Sequence, residues 1–280
     1  MIPSSLIIDS LLKSWLQEDI GRGDRTTDGL GLEKTGSGYW VAKAEGAIAG
    51  LPIAERVFQL LNPNITFNST IEEGERVKVG QVVAKLNGPL NALLTGERVA
   101  LNLAMRLSGI ATMPRQYTAI IADLPTQLVD TRKTTPGLRI LEKYATQVGG
   151  AKNHRMGLDD GVVIKDNHIK AAGSIQEAID IISQTIPYPL TIEVETTTFD
   201  EVKEALKYGA DIIMLDNMNI ELMEESVAYI RVENKQIKIE ASGNITVDNL
   251  REVALTGVDY ISSSATITRS SWLDLSMRID

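Results

Sequence analysis

The stretch LTIEVETTTFDEVKEALKYGADIIMLDN, residues 190–217, carries the repeat that decides the fold. Two short apolar and β-branched runs, at residues 190–194 and 211–215, predict strands. Between them, apolar side chains recur at helical spacing and predict a helix over residues 199–208. A strand, a helix and a second strand in this order predict a βαβ unit, whose two strands are parallel.

The second half of the chain repeats this alternation. Further strands are predicted at residues 127–129, 161–164, 237–239 and 258–261, and further helices at residues 138–148, 175–183, 220–230 and 247–254. Capping boxes mark two helix starts, one formed by Ser174 and Glu177 and one by Thr198 and Glu201, and the Thr246 hydroxyl is expected to cap the last helix. Six strands alternating with helices predict an α/β fold with a parallel sheet.

Polar side chains follow nearly every predicted strand. They lie at residues 130–133, 165–168, 195, 216–217, 240–244 and 262–264. In α/β barrel enzymes the carboxyl ends of the strands surround the active site, so side chains at these ends contact one shared ligand. The pattern therefore favours a barrel. An open doubly wound sheet also binds ligands at this edge and stays open as an alternative.

The first half of the chain predicts a separate α/β domain. Its helices are expected at residues 3–17, 53–62 and 93–107, and its strands within residues 39–49 and 65–86. We expect this domain to span residues 1–110, joined by residues 266–280, and the barrel to span residues 111–265. Arg98, Asn102 and Arg106 lie four residues apart on one face of the long helix, where they are either solvated or packed against a partner.

Composition limits the function. A chain of 280 residues with 43% hydrophobic content can bury a full core, and a barrel would leave room for a smaller domain. The absence of cysteine excludes disulfides, thiolate nucleophiles and cysteine-ligated metals. A net charge of -9 disfavours a general nucleic-acid surface, and no apolar run is long enough for a membrane span. We expect a cytoplasmic protein that binds neither nucleic acid nor membrane.

One segment reverses the acidic balance. Residues 132–155 hold six Lys or Arg residues against the single acid Glu142, and this region also contains His154. Such a cluster predicts a site for a small polyanion. Arg132 and Arg155 offer planar forks that suit carboxylates, so with His154 they are candidates to hold a dicarboxylate. Lys133 and Lys165 suit phosphate or pyrophosphate.

Two acids and a glycine turn complete the candidate site. Glu195 and Asp216 end neighbouring strands, and such oxygen ligands suit either Mg²⁺ held largely through phosphate and water, or sugar hydroxyls. Ser242, Gly243 and Asn244, here called the glycine turn, connect a strand to the start of a helix. Backbone N–H groups at such a turn bind anions, and its place beside the lysines favours a phosphate.

Several motifs in fixed order resemble the quinolinate phosphoribosyltransferase family. They are EDIGRGD at residues 18–24, GER at 96–98, SGIAT at 108–112, DTRKTTP at 130–136, GGAKNHR at 149–155, KDNH at 165–168, EVE at 193–195, LDN at 215–217 and ASGN at 241–244. The resemblance implies an N-terminal α/β sandwich domain, a six-stranded incomplete α/β barrel, and a homodimer with active sites at the subunit interface. Whether dimers assemble further is left open.

The resemblance also implies a reaction and the residues that serve it. A phosphoribosyl group passes from phosphoribosyl pyrophosphate to quinolinate with decarboxylation, giving nicotinate mononucleotide, pyrophosphate and CO2 for NAD biosynthesis. The quinolinate ligands would be Arg132, His154, Arg155, Lys165 and, from the neighbouring subunit, Arg98. The phosphoribosyl pyrophosphate ligands would be Lys133, Glu195, Asp216, Ser242, Gly243, Asn244, Ser263 and Ser264.

Within these sets the resemblance singles out a catalytic group and a metal site. The expected catalytic residues are Lys133, Lys165, Glu195 and Asp216. Glu195 and Asp216 would also hold Mg²⁺, directly or through water. Ser264 is a departure, because the family often has glycine at this position.

Rival functions stay open. A related phosphoribosyltransferase acting on a different ring, including the molybdenum-locus relative, shares the Glu-Asp-Ile-Gly opening at residues 18–21, and a monocarboxylate such as nicotinate would need fewer cations. From another class, residues 71–88 are faintly similar to a lipoyl-type carrier hairpin with Lys78 as the attachment site. A carrier does not explain the polar strand ends, and a catalytically silent phosphate-binding barrel does not explain the two acids.

Overall fold

The computed structural model describes residues 2–280, which group into two compact units. The first unit comprises residues 2–115, Thr135–Gly150 and Arg269–Asp280. The second comprises Gln116–Thr134 and Ala151–Thr268. The chain therefore crosses between the units several times, and the final segment groups with the N-terminal half.

Helices and strands cover most of both units. The helices are α1 (Ser5–Ile20), α2 (Arg25–Leu30), α3 (Leu51–Leu61), α4 (Leu90–Ile120), α5 (Arg139–Val148), α6 (Asp166–Ala172), α7 (Ile175–Ser183), α8 (Phe199–Lys207), α9 (Ile220–Glu233), α10 (Leu250–Leu255) and α11 (Ala265–Thr268). The strands are β1 (Thr35–Ala42), β2 (Gly46–Ala47), β3 (Thr66–Ser69), β4 (Arg76–Val77), β5 (Val82–Pro89), β6 (Gln127–Val129), β7 (Val162–Ile164), β8 (Ile192–Thr196), β9 (Ile212–Asp216), β10 (Lys238–Ser242), β11 (Tyr260–Ser262) and β12 (Leu275–Ile279).

The first unit is built on an antiparallel sheet of order β12-β1-β5-β3. Its core is aromatic, because Trp40 meets Phe67 edge-to-face at a centroid distance of 5.4 Å and Phe58 at 6.2 Å. All three rings are buried, and such pairs contribute about 0.5–1.5 kcal/mol beyond the burial of their area. Strand β5 pairs on both sides in this sheet and β4 pairs with β2, so residues 71–88, considered as a carrier hairpin, are part of the first unit rather than a separate domain.

The second unit is a parallel sheet of order β6-β11-β10-β9-β8-β7. Each strand from β8 to β11 lies beside its predecessor in the chain, and β6, the first in sequence, pairs with β11, the last. This circular order is that of an α/β barrel, whereas a doubly wound sheet would reverse direction. Strands β6 and β7 are the two ends of this sheet and do not pair with each other in the described residues, and β6 forms an isolated bridge from Val129 to Lys152. The predicted incomplete six-stranded barrel is therefore confirmed.

Several predicted boundaries are wrong for identifiable reasons. Helix α4 was expected to end at residue 107 but continues to Ile120, because Gly109 is a packing residue rather than a helix stop. A Cβ at that position would lie 1.8 Å from the Ser271 carbonyl oxygen. Strand β8 begins two residues later than predicted, since a turn joins the Leu190 N–H to the Pro187 carbonyl oxygen at 3.0 Å.

The predicted caps are confirmed at two helices and wrong at a third. Thr198 and Glu201 form the full capping box of α8. The Ser174 hydroxyl accepts the Glu177 N–H at 3.1 Å, although the Glu177 carboxylate contacts the Ser174 hydroxyl instead of its backbone. Helix α10 starts at Leu250, and Thr246 donates its own N–H to the Asn249 side chain at 2.8 Å, so the predicted Thr246 cap is wrong.

Three short helices, α2, α6 and α11, were not predicted. Helix α2 is capped by Asp24, whose carboxylate accepts the Thr27 N–H at 3.0 Å. Helix α6 follows Lys165 directly, and His168 stabilises its first turn by accepting the Lys165 N–H on Nδ1 at 3.0 Å. No helix within residues 2–280 combines the length and hydropathy that a membrane span requires.

Candidate active site

Asp130 organises the loop after β6 and the segment that carries the predicted carboxylate ligands. Its side chain is buried. One carboxylate oxygen accepts the His154 N–H at 2.9 Å, and the other accepts the Asn153 side-chain amide at 2.7 Å. Because a buried carboxylate is stable only when its oxygens are satisfied, these bonds fix the backbone of both segments in place.

The imidazole of His154 is held by two buried carboxylates. Its Nε2 lies 3.0 Å from a Glu193 oxygen and 3.5 Å from a Glu240 oxygen. Its Nδ1 accepts the Arg155 N–H at 2.7 Å. Since the Nδ1 lone pair is used, the proton of a neutral ring lies on Nε2 and is donated to the carboxylates.

That tautomer decides what the three residues can bind. His154, Glu193 and Glu240 bring one ligand atom each within 4.8 Å of one another, which is compatible with a metal by distance alone. A metal, however, would need the Nε2 lone pair, and the proton would move to Nδ1, where it would face the Arg155 N–H. The cluster is therefore a hydrogen-bonded acid–imidazole group rather than a metal site.

Glu193 was not predicted as a site residue, and Glu240 was only counted among the polar residues after the predicted strand at residues 237–239, without a role. Glu193 lies two residues before Glu195 on β8, and residues two apart on a strand share a face. Both side chains are buried, and one oxygen of each, Oε1, has no hydrogen-bond partner within residues 2–280. Burial, and then the Glu193 charge, raise the pKa of Glu240 to about 7, while His154 lowers it. The signal in the sequence was the alternation Glu-Val-Glu, which an ordinary half-exposed strand also shows.

The raised pKa of Glu240 predicts a pH-dependent stability. A carboxyl whose folded pKa of about 7 exceeds its ordinary value of 4.5 stabilises the fold below pH 4.5, and this contribution is lost as the pH rises to about 7. The Glu240→Gln variant does not titrate. We expect its free energy of unfolding, relative to wild type, to rise by on the order of 2–3 kcal/mol between pH 5 and pH 8.

Urea midpoints of the two proteins across this pH range measure the effect. Glu224→Gln, a change at an exposed acid, is the matched control and should show a difference from wild type that does not vary with pH. A flat difference for Glu240→Gln would contradict the burial argument.

Arg132 and Arg155 form the cationic part of the site. Arg155 donates from Nη1 to the Gly161 carbonyl oxygen at 2.7 Å, so part of its fork holds the loop that leads to β7. Burial and the nearby positive charge of Arg132 lower the pKa of Arg155, whereas Glu193 raises it. The Nε of Arg132 is buried without a hydrogen-bond partner in the described chain. Two guanidinium groups that repel each other, one with an unused buried donor, are suited to an anion.

The predicted lysine and acid positions follow the next strands. Lys165 follows β7 and contacts Glu195 of β8, with its Nζ 2.5 Å from a carboxylate oxygen. The Lys165 side chain is 46% exposed and that of Glu195 is 15% exposed, so this pair stays accessible to a ligand. Lys133 is exposed, and its backbone N–H donates to the hydroxyl of Thr131, two residues earlier, at 3.1 Å.

Asp216 and the glycine turn end two adjacent strands. Asp216 of β9 stands opposite Ser242 of β10 in the parallel register. Gly243 has φ +93°, a left-handed conformation that glycine adopts without strain. The Ser263 hydroxyl is buried and accepts the Ala265 N–H at 3.3 Å, so it stabilises the turn into α11, and Ser264 accepts the Ile267 N–H on its carbonyl oxygen at 3.0 Å.

The predicted ligands divide between the units. The second unit contains Arg132, Lys133, His154, Arg155, Lys165, Glu195, Asp216, the glycine turn, Ser263 and Ser264. Most of them lie at or just after the carboxyl end of a strand, and His154 and Arg155 lie in the segment between β6 and β7. Arg98 belongs to the first unit, where its side chain is 59% exposed and lies 3.9 Å from Glu97. The ligand role of each of these residues stays a prediction.

The charged residues of the segment 132–155 do not all belong to the candidate site, because residues 135–150 are part of the first unit. Its acid, Glu142, is buried in the first unit and pairs with Arg106 at 2.7 Å. Lys143 of α5 is also fully buried there. Arg106 thus belongs to an internal ion pair and is not on a solvated stripe, as one interpretation of the α4 face had it.

Comparison with known proteins identifies relatives over the whole chain. The family models for the N-terminal and the C-terminal domain of quinolinate phosphoribosyl transferase match residues 24–108 and 110–278. A probable carboxylating nicotinate-nucleotide pyrophosphorylase from Synechocystis sp. is 60% identical over 99% of this chain and 94% of its own length. A second one, from Bacillus subtilis, is 44% identical over 98% of this chain and 94% of its own length.

Solved structures show the same similarity. The crystal structure of NadC from Streptococcus pyogenes matches with a TM-score of 0.95 and 38% identity, covering 100% of this chain and 99% of that one. The nicotinate-nucleotide pyrophosphorylase from Francisella tularensis matches with a TM-score of 0.94 and 34% identity, covering 100% and 98%.

Proposed function

The chain belongs to the quinolinate phosphoribosyltransferase family, and we propose that it transfers a phosphoribosyl group from phosphoribosyl pyrophosphate to quinolinate with decarboxylation. The products are nicotinate mononucleotide, pyrophosphate and CO2, and the reaction serves NAD biosynthesis. The observation that carries the proposal is the pair Arg132 and Arg155, an anion site with an unused buried donor, near the buried acid Glu193 of β8.

Quinolinate binding rests on cations. Its two carboxylates match two guanidinium groups, and planar forks bind carboxylates with two parallel hydrogen bonds. Arg132 supplies a guanidinium whose buried Nε has no partner, and Arg155 supplies a second positive charge, although its Nη1 already binds Gly161. Lys165 can leave Glu195 to reach a carboxylate oxygen. The His154 ring lies beside Arg155 and completes this group.

The residues proposed to bind phosphoribosyl pyrophosphate and its metal are Glu195, Asp216, Lys133 and the glycine turn. Glu195 and Asp216 are partly exposed oxygen donors at the ends of adjacent strands, which fits Mg²⁺ held mainly through water and pyrophosphate oxygens. Bound there, Mg²⁺ would neutralise charge on the departing pyrophosphate. Lys133 offsets the remaining negative charge, and the N–H groups after Ser242, with the Ser263–Ser264 turn, would receive the 5-phosphate.

The chemistry then needs positioning and charge stabilisation rather than a covalent intermediate. The pyridine nitrogen attacks the anomeric carbon of ribose as the bond to pyrophosphate breaks, through an oxocarbenium-like transition state. Glu195 and Asp216 face the positive charge that develops on the ribose, and Lys165 holds the acceptor in place. Once the ring nitrogen is quaternary, the C–CO2 bond breaks, its electron pair stays on the ring carbon beside the positive nitrogen, and a proton from solvent replaces the lost CO2 there, so that step needs no separate electron sink.

The assembly is part of the proposal. We propose a homodimer in which the exposed Arg98 of one subunit reaches quinolinate bound to the other. The expected cytoplasmic location, and the absence of nucleic-acid binding, stay predictions.

A direct assay tests the function. The purified protein is incubated with quinolinate, phosphoribosyl pyrophosphate and Mg²⁺, and CO2 release and the mass of the nucleotide are followed, with nicotinate as the parallel substrate. We expect nicotinate mononucleotide and CO2 from quinolinate only. Product from nicotinate alone would favour the monocarboxylate rival, and no product from either would refute the proposal. An unchanged intact mass would exclude a carrier modified at Lys78.

A further inference from the structure

We propose that Asn217 is a positioning residue that holds the Asp216 carboxylate and the glycine turn as one unit for binding phosphoribosyl pyrophosphate. This inference rests on the proposed function, because it assigns Asn217 to the same ligand. It adds a residue that acts through two neighbours already assigned to this ligand, Asp216 and the glycine turn.

Asn217 makes three hydrogen bonds across the ends of β9 and β10. Its side-chain Nδ2 donates to an Asp216 oxygen at 2.7 Å. Its side-chain Oδ1 accepts from the Asn244 Nδ2 at 3.0 Å, and its backbone N–H donates to the Ser242 carbonyl oxygen at 2.9 Å. One amide therefore contacts both the acid and the turn, and each of these groups constrains the other.

The backbone at these positions is unusual for residues other than glycine. Asn217 and Asn244 are the non-glycine residues with positive φ in the described chain, and both have φ +53°. Asparagine is among the few residues that tolerate this conformation. The turn also packs closely on the amide, since a Cβ on Gly243 would lie 2.2 Å from the Asn217 Oδ1. A side chain at Gly243 would therefore displace the Asn217 amide from its hydrogen bonds to Asp216 and Asn244.

The constraint continues to the helix that follows. The Asn244 carbonyl oxygen accepts from the Asn249 side chain at 3.2 Å, and the same side chain accepts the Thr246 N–H at 2.8 Å. The glycine turn is thus held from both sides, by Asn217 and by the first turn of α10. Asn217 and Asn244 are nevertheless exposed, so the unit they form faces solvent and is accessible to a ligand.

The consequence is specific to one substrate. Phosphoribosyl pyrophosphate has to contact the acid with its ribose and the turn with its phosphate, so an error in their spacing weakens its binding. Quinolinate is assigned to Arg132 and Arg155, whereas the hydrogen bonds of Asn217 lead to Asp216, Ser242 and Asn244. Loss of the Asn217 amide should therefore affect one substrate and spare the other.

Two substitutions separate the amide from the backbone. Asn217→Gly keeps the left-handed conformation and removes the side-chain contacts. Asn217→Asp keeps the size and the tolerance of positive φ, but it replaces the donor to Asp216 with a second carboxylate. The control is Asn219→Asp, because Asn219 caps α9 by accepting the Leu222 N–H at 2.9 Å, and aspartate caps equally well.

Calorimetry measures the Kd of each variant for phosphoribosyl pyrophosphate with Mg²⁺ and for quinolinate. Steady-state KM values and the thermal midpoint of each variant are measured alongside. We expect the Kd and KM for phosphoribosyl pyrophosphate to rise about 10-fold to 100-fold in both Asn217 variants, the loss typical of a hydrogen bond to a charged group. The quinolinate Kd should stay within about twofold, and Asn219→Asp should match wild type.

The outcomes distinguish this inference from the proposed function. The positioning role would be overturned if Asn217→Gly bound phosphoribosyl pyrophosphate with normal affinity. It would also be overturned if the variant lost affinity for both substrates equally and had a lower thermal midpoint. In both cases, turnover by the wild-type protein would still support the proposed function. A wild-type protein that neither binds phosphoribosyl pyrophosphate nor turns over quinolinate would overturn both.

Discussion

Replacing Glu142 with alanine is expected to lower the free energy of unfolding by about 3–5 kcal/mol, the cost of breaking a buried ion pair by removing one partner. Glu142 is buried, and its Oε1 accepts from Arg106 at 2.7 and 3.2 Å. The same carboxylate accepts the Thr135 N–H and hydroxyl, each at 2.8 Å. Alanine removes all four acceptor contacts, including both of those that Glu142 makes with the largely buried Arg106 guanidinium.

Urea midpoints at pH 7 measure this loss. Glu142→Gln keeps one oxygen of similar shape and is expected to lose less than alanine, because some of the donors stay satisfied. Glu224→Ala, at an exposed acid, is the control and should stay within about 0.5 kcal/mol of wild type. A Glu142→Ala protein with the stability of that control would show that the pair contributes nothing to the fold.

The Glu142 pair also shows where inference from the sequence stops. Arg106 and Glu142 are 36 positions apart, and periodicity places a residue on a face of its own helix without naming its partner. The sequence pattern put Arg106 on a polar stripe and Glu142 in a cationic cluster. Each statement is correct locally, but only the packed first unit shows that the two charges neutralise each other.

Elements with strong local signals were predicted closely. Helix α7 has the predicted bounds because Ser174 caps its start, and β6 has them because it is a short apolar run that polar residues follow. The six-stranded parallel sheet followed from the repeated βαβ units, which do not depend on side-chain detail. The errors fell where a residue has a tertiary role, such as Gly109 packing against Ser271 within the first unit.

The candidate site shows the same division. Residues that stand at strand ends were found, since a polar side chain after an apolar run is visible in the sequence. Glu193 was missed because it lies inside a strand, where a buried acid looks like the polar half of an alternating pattern. Glu240 was placed after the predicted strand at residues 237–239 and given no role, whereas β10 continues to Ser242 and buries it. Their pairing with His154 depends on strand order and register, which bring residues 193 and 240 to the same imidazole.

Replacing Arg132 with lysine is expected to raise the KM and Kd for quinolinate about 10-fold to 100-fold, and replacing it with alanine about 100-fold to 1,000-fold, while affinity for phosphoribosyl pyrophosphate changes much less. Arg132 has a buried Nε without a partner among residues 2–280, so its fork is not engaged by the fold. A lysine keeps the charge but cannot form two parallel hydrogen bonds to one carboxylate.

Arg155 provides the informative contrast. Part of its fork already binds the Gly161 carbonyl oxygen at 2.7 Å, so Arg155→Lys should lower the thermal midpoint as well as quinolinate affinity. Arg132→Lys should lower affinity alone, and Arg269→Lys, at an exposed arginine, should change neither. Calorimetry with each substrate and thermal unfolding of the three variants separate these effects. If Arg132→Lys weakened both substrates equally, the separation of the carboxylate site from the phosphoribosyl site would be wrong, because a lost fork can reduce only the binding of the ligand that it contacts.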